Sequence, residues 1–196
     1  RTSPGRLVML TDVGDVFANP WTEADIVRRF DVLTHRRASL VVAAEDSCWI
    51  GHVCSARDVE RFVATNASRR AHRFMHSQFV GTVPAVARML SWGLAGGHDD
   101  DMRMMYEYIL KYPQRVVVDG TYRIFGSLAF AVADASGEFR CWDGKCAAGR
   151  ERRRCTRAAR GSVCVHDAGQ RLCPLIWHGN GNMARAFLDR NPDCLQ

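Results

Sequence analysis

The stretch "LTDVGDVF", Leu10 to Phe17, places two acidic residues three positions apart. Asp12 and Asp15 follow a short apolar run, and Gly14 between them lets the backbone turn sharply. Carboxylates so spaced can present oxygens to one divalent cation. A cation held there neutralises a diphosphate and stabilises it as a leaving group. An Asx-turn with a helix cap would use the same residues and no ion. The second candidate lies near the other end of the chain, in "WHGNG". His178 follows an apolar run, and a neutral imidazole is a good third ligand for manganese. Gly179 and Gly181 let backbone N–H groups approach phosphate oxygens closely. The plainer reading is a structural or solvated histidine in a turn. The third candidate is "HDDDM", Asp99 to Asp101. A carboxylate there can accept a proton from an attacking hydroxyl or hold sugar hydroxyls; it can also simply open a helix at the surface. Trp92 and Trp177 can stack on sugars or bases, or fill a core.

These residues need elements to hold them. "RLVML" (Arg6 to Leu10) and "SLVVAAE" read as strands buried on both faces, because short continuous apolar runs suit a covered sheet. "TEADIVRRFDVLTH" between them has Ala24, Ile26, Val27, Phe30 and Val32 or Leu33 at helical spacing, with Thr22 as an N-cap. The result is a β-α-β unit with a right-handed crossover, the signature of a parallel sheet. A helix in "SARDVERFVATNAS" and a strand in "RFMHSQFVGT" come next. "VPAVARMLSWGLAGG" reads as a helix with Pro84 in its first turn and paired Gly at its far end. "DDDMRMMYEYILKY" reads as a helix with Met102, Met105, Tyr106 and Ile109 on one face. "QRVVVDG", "YRIFG" and "PLIW" read as short strands, and "MARAFLDR" as a terminal helix.

The chain has 196 residues, 47% of them hydrophobic, enough for one sizeable core. No apolar run approaches the ~20 residues that cross a bilayer. The net charge is +6, concentrated in "GRERRRCTRAAR" (Gly149 to Arg160). Such a run is a solvated loop, or a contact for phosphate, nucleic acid or an acidic protein. Eight Cys, six of them in the last third, suggest disulfides and an oxidising compartment. Zinc is the competing use, although C-x2-C knuckles are missing. "NAS" at Asn66 is a glycosylation sequon. The expected location is the lumen of the secretory pathway, endoplasmic reticulum or Golgi, or outside the cell.

The order of the motifs narrows the reading: "TDVGD", a strand ending "FVGT", "DDD" opening a helix, "YRIF", then "HGNG". This series resembles the glycosyltransferase domain of the procollagen lysyl hydroxylases and the related collagen glycosyltransferases, over about Leu7 to Asp134 and again from about Pro174. The resemblance implies an α/β, GT-A-like fold: a mixed, mainly parallel sheet flanked by helices, in one domain over 1–196. A Cys- and Arg-rich insertion at about 136–173 has no counterpart in the family. The implied activity is manganese-dependent transfer of a hexose from a UDP-sugar to an acceptor hydroxyl, such as hydroxylysine or galactosyl-hydroxylysine of a collagen-like protein. The resemblance assigns Asp12, Asp15 and His178 to the metal. It assigns Thr11, Gly179, Asn180 and Gly181 to the donor, and Asp100 and Asp101 to orienting the acceptor or donor sugar. Family domains carry a uracil- and ribose-holding half ahead of D-x-x-D, and this chain begins about a dozen residues before that motif. Either that half is expected on a second chain or outside this sequence, or the site is incomplete. "MHSQFVG" departs from the family's Asn-Ser-Gly-Gly strand, with His76 where Asn is expected. Two other functions compete: a luminal binding or assembly module without turnover, and nucleic-acid binding through the Arg run, against which the Cys count and the sequon argue.

Overall fold

The structure is a computed structural model that describes residues 6–12, 16–35, 37–45, 56–65, 74–127, 155–157, 163–167 and 170–179. In chain order its elements are β1 (Leu7–Leu10), β2 (Val16–Ala18), α1 (Glu23–Thr34), β3 (Leu40–Glu45), α2 (Ala56–Thr65), β4 (Phe74–Thr82), α3 (Val83–Ala95) and α4 (Asp101–Lys111). After a 3-10 turn at Pro113–Arg115 come β5 (Val116–Asp119), β6 (Phe125–Ser127), β7 (Cys155–Arg157), β8 (Val163–Asp167), β9 (Gln170–Leu172) and β10 (Ile176–His178). The class is mixed α/β. Contacts divide the chain into two compact units: residues 1–11 with 23–120, and residues 12–22 with 121–196. The short segment around β2 thus belongs with the C-terminal part of the chain.

The first unit holds a four-stranded sheet in the order β1-β4-β3-β5. β3 is apolar until its last residue and wholly buried, as its unbroken run predicts. It pairs in parallel with β5, Leu40 opposite Val116. β4 lies between β1 and β3 and is antiparallel to both. The β1-α1-β3 segment therefore does place two strands running the same way, but they are not neighbours. The expectation of a mainly parallel sheet is corrected, because among the described strands antiparallel pairings are the more numerous. β1 also departs from the expected two-sided burial. It is an edge strand with alternating exposure, Val8 at 39% and Leu10 at 49%.

Helices cover this sheet because their apolar residues recur every turn. α1 buries Ile26, Phe30 and Thr34, spaced i, i+4 and i+8, against β3 and β5. Burying Phe30 or Ile26 is worth about 2 kcal/mol each. Val32 remains 43% exposed, on the outer face. α3 starts with Pro84 in its first turn, where the missing N–H costs nothing, and closes on Gly96, with Gly97 at φ 67°. α4 packs beside it through Gly93, where a Cβ would overlap the Met104 side chain. The buried face of α4 is Met104, Met105, Tyr106, Tyr108 and Ile109; Met102 is only half-buried.

The second unit holds two three-stranded sheets, β2-β10-β6 and β7-β8-β9. β10 is the middle strand of its sheet, antiparallel to β2 and parallel to β6. Trp177 is fully buried there, near Phe17 and edge-on to Tyr122, so its place is in the core. Gly126 makes this packing possible, since a Cβ would stand 2.6 Å from the Trp177 ring and from Pro174. In the other sheet Val165 pairs with Leu172, which sets Cys164 opposite Cys173, and a disulfide joins them. No helix among the described residues is long and apolar enough to cross a membrane. The expected terminal helix, the sequon at Asn66 and most of the Arg run lie outside the described residues.

Candidate metal centre

The second unit brings together two of the residues singled out by chemistry. β2 runs antiparallel to β10, with Val16 opposite His178. The start of β2 therefore lies beside the end of β10. Asp12 stands four residues before Val16, and His178 is the last residue of β10. His178 Nε2 lies 3.7 Å from Asp12 Oδ2. That is beyond hydrogen-bond length. It leaves room for a cation bonded to both at about 2.0–2.2 Å. An imidazole nitrogen with a carboxylate oxygen is a donor set that divalent first-row ions accept.

The two side chains differ in surroundings. The His178 side chain is 3% exposed and that of Asp12 40%. His178 is flanked on both sides by hydrogen-bonded strands, opposite Val16 on one and Ser127 on the other. Its backbone is thus fixed by two ladders, while the carboxylate of Asp12 can meet a solute. Gly179 follows directly and is buried. Asp15, Asn180 and Gly181 lie outside the described residues.

Asn19 is a further positioning residue that motif reading missed. Its Nδ2 donates to the Pro174 carbonyl at 2.6 Å and its backbone N–H to the Leu175 carbonyl at 2.8 Å. Leu175 and Ile176 in turn donate to the Ile124 carbonyl. These bonds tie the end of β2 to the start of β10 and set the register that leaves Val16 beside His178. The available signal was the Asn-Pro pair at Asn19 and Pro20, which marks a turn.

The remaining candidates belong to the first unit. Thr11 is half-buried just past β1. Asp100 is the N-cap of α4, its Oδ1 accepting the Arg103 backbone N–H at 2.6 Å. Asp101 Oδ1 accepts the Met102 backbone N–H at 2.8 Å. Both carboxylates thus satisfy N–H groups that a helix start leaves unpaired. Along the next turns Arg103 pairs with Glu107 at 3.0 Å, and that carboxylate raises the Arg103 pKa. Trp92 is half-buried, 5.0 Å from the His98 ring and 5.6 Å from the Lys111 ammonium.

No family model matches this chain, and no curated protein was found to be similar to it.

Proposed function

We propose that this chain transfers a hexose from a UDP-sugar to an acceptor hydroxyl with the help of manganese, on a GT-A-like scaffold. The observation that carries the reading is the approach of His178 to Asp12 within 3.7 Å, from opposite ends of the sequence. The order of the motifs supplies the donor, the ion and the acceptor class, hydroxylysine or its galactosylated form in a collagen-like protein. A divalent ion bound there supplies positive charge against the diphosphate of the leaving group. Asp12 and His178 contribute the lone pairs that hold it. Burial of His178 keeps competing water from the ring, and the two flanking ladders fix the backbone that carries it. Gly179, without a side chain, leaves its backbone open to a phosphate oxygen. The Cys164–Cys173 disulfide supports a luminal or extracellular setting.

The test is UDP-sugar turnover with and without manganese. Turnover that needs the ion and vanishes in both Asp12→Ala and His178→Ala supports the reading; full, metal-independent turnover in either variant ends it. One observation favours a second reading, a luminal binding module without turnover. Asp100 and Asp101, the carboxylates assigned to the sugar, are engaged with the start of α4. Calorimetry with UDP and saturating manganese separates the two, because a module that has lost its nucleotide function releases no heat.

A further inference from the structure

β1 is an outer strand of its sheet, paired with β4 on one side. The register fixes which of its backbone groups are spare. The Val83 N–H donates to the Arg6 carbonyl at 3.0 Å, and the Thr82 N–H donates to the Ser39 carbonyl at 3.1 Å. Antiparallel ladders alternate in this way. Along β4, Gly81 and Phe79 therefore turn their backbone groups to β1, and Thr82 and Val80 turn theirs to β3. Val8 and Leu10, opposite Gly81 and Phe79, have their N–H and C=O paired. Leu7 and Met9 aim theirs away from the sheet, and no hydrogen bond among the described residues takes them up.

The same margin is apolar. Gly81 shares a face with Val8, and a Cβ on Gly81 would stand 3.2 Å from Val86 of α3, so α3 covers that face. Val8 and Leu10 lie on it and are still exposed. α3 packs on β1 and β4, whereas α4 packs on β4 and α2. Val83, Leu90 and Leu94 form one stripe of α3, because their spacing returns to the same side of a helix. Trp92, which meets Tyr108 of α4 edge-on, points the other way, so the stripe lies on the β1 side. Val83 is 44% exposed, Leu90 42% and Leu94 80%. Five of the seven exposed large apolar side chains among the described residues thus gather at one margin. Sheet edges are ordinarily blunted by a charge, a proline or a bulge. Leu7 to Leu10 contain no charge and no proline, and their register with β4 is unbroken.

We infer that the outer edge of β1 docks an extended, acidic segment of a partner protein, which adds a strand to this sheet and lays alternate apolar side chains against the α3 stripe. Spare N–H and C=O groups along a strand are satisfied by another strand, and the side-chain period of two brings every second residue of that strand to the apolar face. Charge selects the sign. Arg6, at the head of β1, is exposed and has no ion pair among the described residues, and neither β1 nor α3 carries an acidic residue. A second copy would bring its own net charge of +6 to the same edge, which like charge opposes. Docking here does not depend on sugar transfer.

The experiment uses the full chain, without nucleotide or divalent cation, and the synthetic peptide acetyl-Glu-Val-Thr-Val-Thr-Val-Glu-amide. Fluorescence anisotropy should show binding, and a peptide with lysine in place of both glutamates should bind far more weakly. Amide hydrogen exchange at Leu7 and Met9 should slow when the acidic peptide is added. Met9→Pro removes one outward N–H at a place where an edge strand tolerates proline, so it should fold and lose binding. Leu94→Glu should weaken binding at least ~10-fold and leave the melting temperature unchanged, because Leu94 is 80% exposed. The inference is overturned if the acidic peptide does not bind, if the lysine peptide binds as tightly, or if exchange at Leu7 and Met9 is unaffected. Normal binding by Leu94→Glu, or by a folded Met9→Pro, overturns it as well. Self-association that protects the same two amides without peptide would assign the edge to a second copy and likewise end it.

Discussion

In Asp12 a carboxylate stands 3.7 Å from a buried imidazole, whereas in Asp100 the same group closes on the backbone N–H of Arg103, 2.6 Å away. Both residues lie in acidic stretches that look alike as sequence. The difference is in what surrounds them. Asp12 leads into a strand whose partner ends in His178, so the topology presents a second donor to it. Asp100 leads into a helix, whose unpaired N–H groups take the carboxylate first. An acidic run is therefore informative only with the element that follows it: a strand leaves the oxygens for a distant partner, and a helix start consumes them locally.

Mutagenesis can break or sharpen this contrast. The largest effect is expected at the Asp12–His178 pair. Removing either residue should lower manganese-dependent turnover at least ~100-fold, since even groups that only orient a ligand cost 10–100-fold. Asp12→Ala should leave thermal stability nearly unchanged, because its side chain is 40% exposed. Next comes the packing that places His178. Gly126→Ala puts a methyl against the Trp177 ring and should destabilise the protein by about 1–3 kcal/mol in a denaturant titration.

The cap tests the other side of the contrast. Asp100→Ala should cost about 1 kcal/mol of stability. Asp100→Ser, which keeps a capping oxygen and loses the charge, should restore most of it. If Asp100 serves only α4, turnover by the serine variant matches the parent; a drop of about 100-fold or more, in the range of general acid–base catalysis, would give the carboxylate a chemical role as well. The smallest effect is expected at Arg103→Ala. Its ion pair with Glu107 is exposed, and neither melting temperature nor turnover should move measurably.

Much of the first unit was legible because its signals are local. The unbroken run Leu40 to Ala44, Pro84 with its trailing glycines and the acidic start of α4 each declare an element through short-range physics. The pairing of strands was not legible. Nothing local in Phe74 to Thr82 says that β4 inserts between β1 and β3, or that β1 ends up at an edge with Val8 and Leu10 exposed. A continuous apolar run has the same appearance at a sheet's centre and at its margin. β2 escaped notice because three residues carry no periodicity, yet β2 is what carries Asp12 to His178. The spacing of Cys164 and Cys173 says nothing by itself, and the β8-β9 hairpin explains it, because there the two positions face each other.

The division of the chain has a consequence for synthesis. β2 is made long before the strand it pairs with, β10. The nascent chain can complete the first sheet, whose last strand ends at Asp119, while the segment from Asp12 to Thr22 still waits without its ladder. Closing so long a loop is slow, and contacts of this kind dominate folding time. The segment that carries Asp12 therefore stays without its pairing strand while residues 23–175 are made, and a chaperone or a premature stop acting in that interval would govern how much protein pairs β2 with β10.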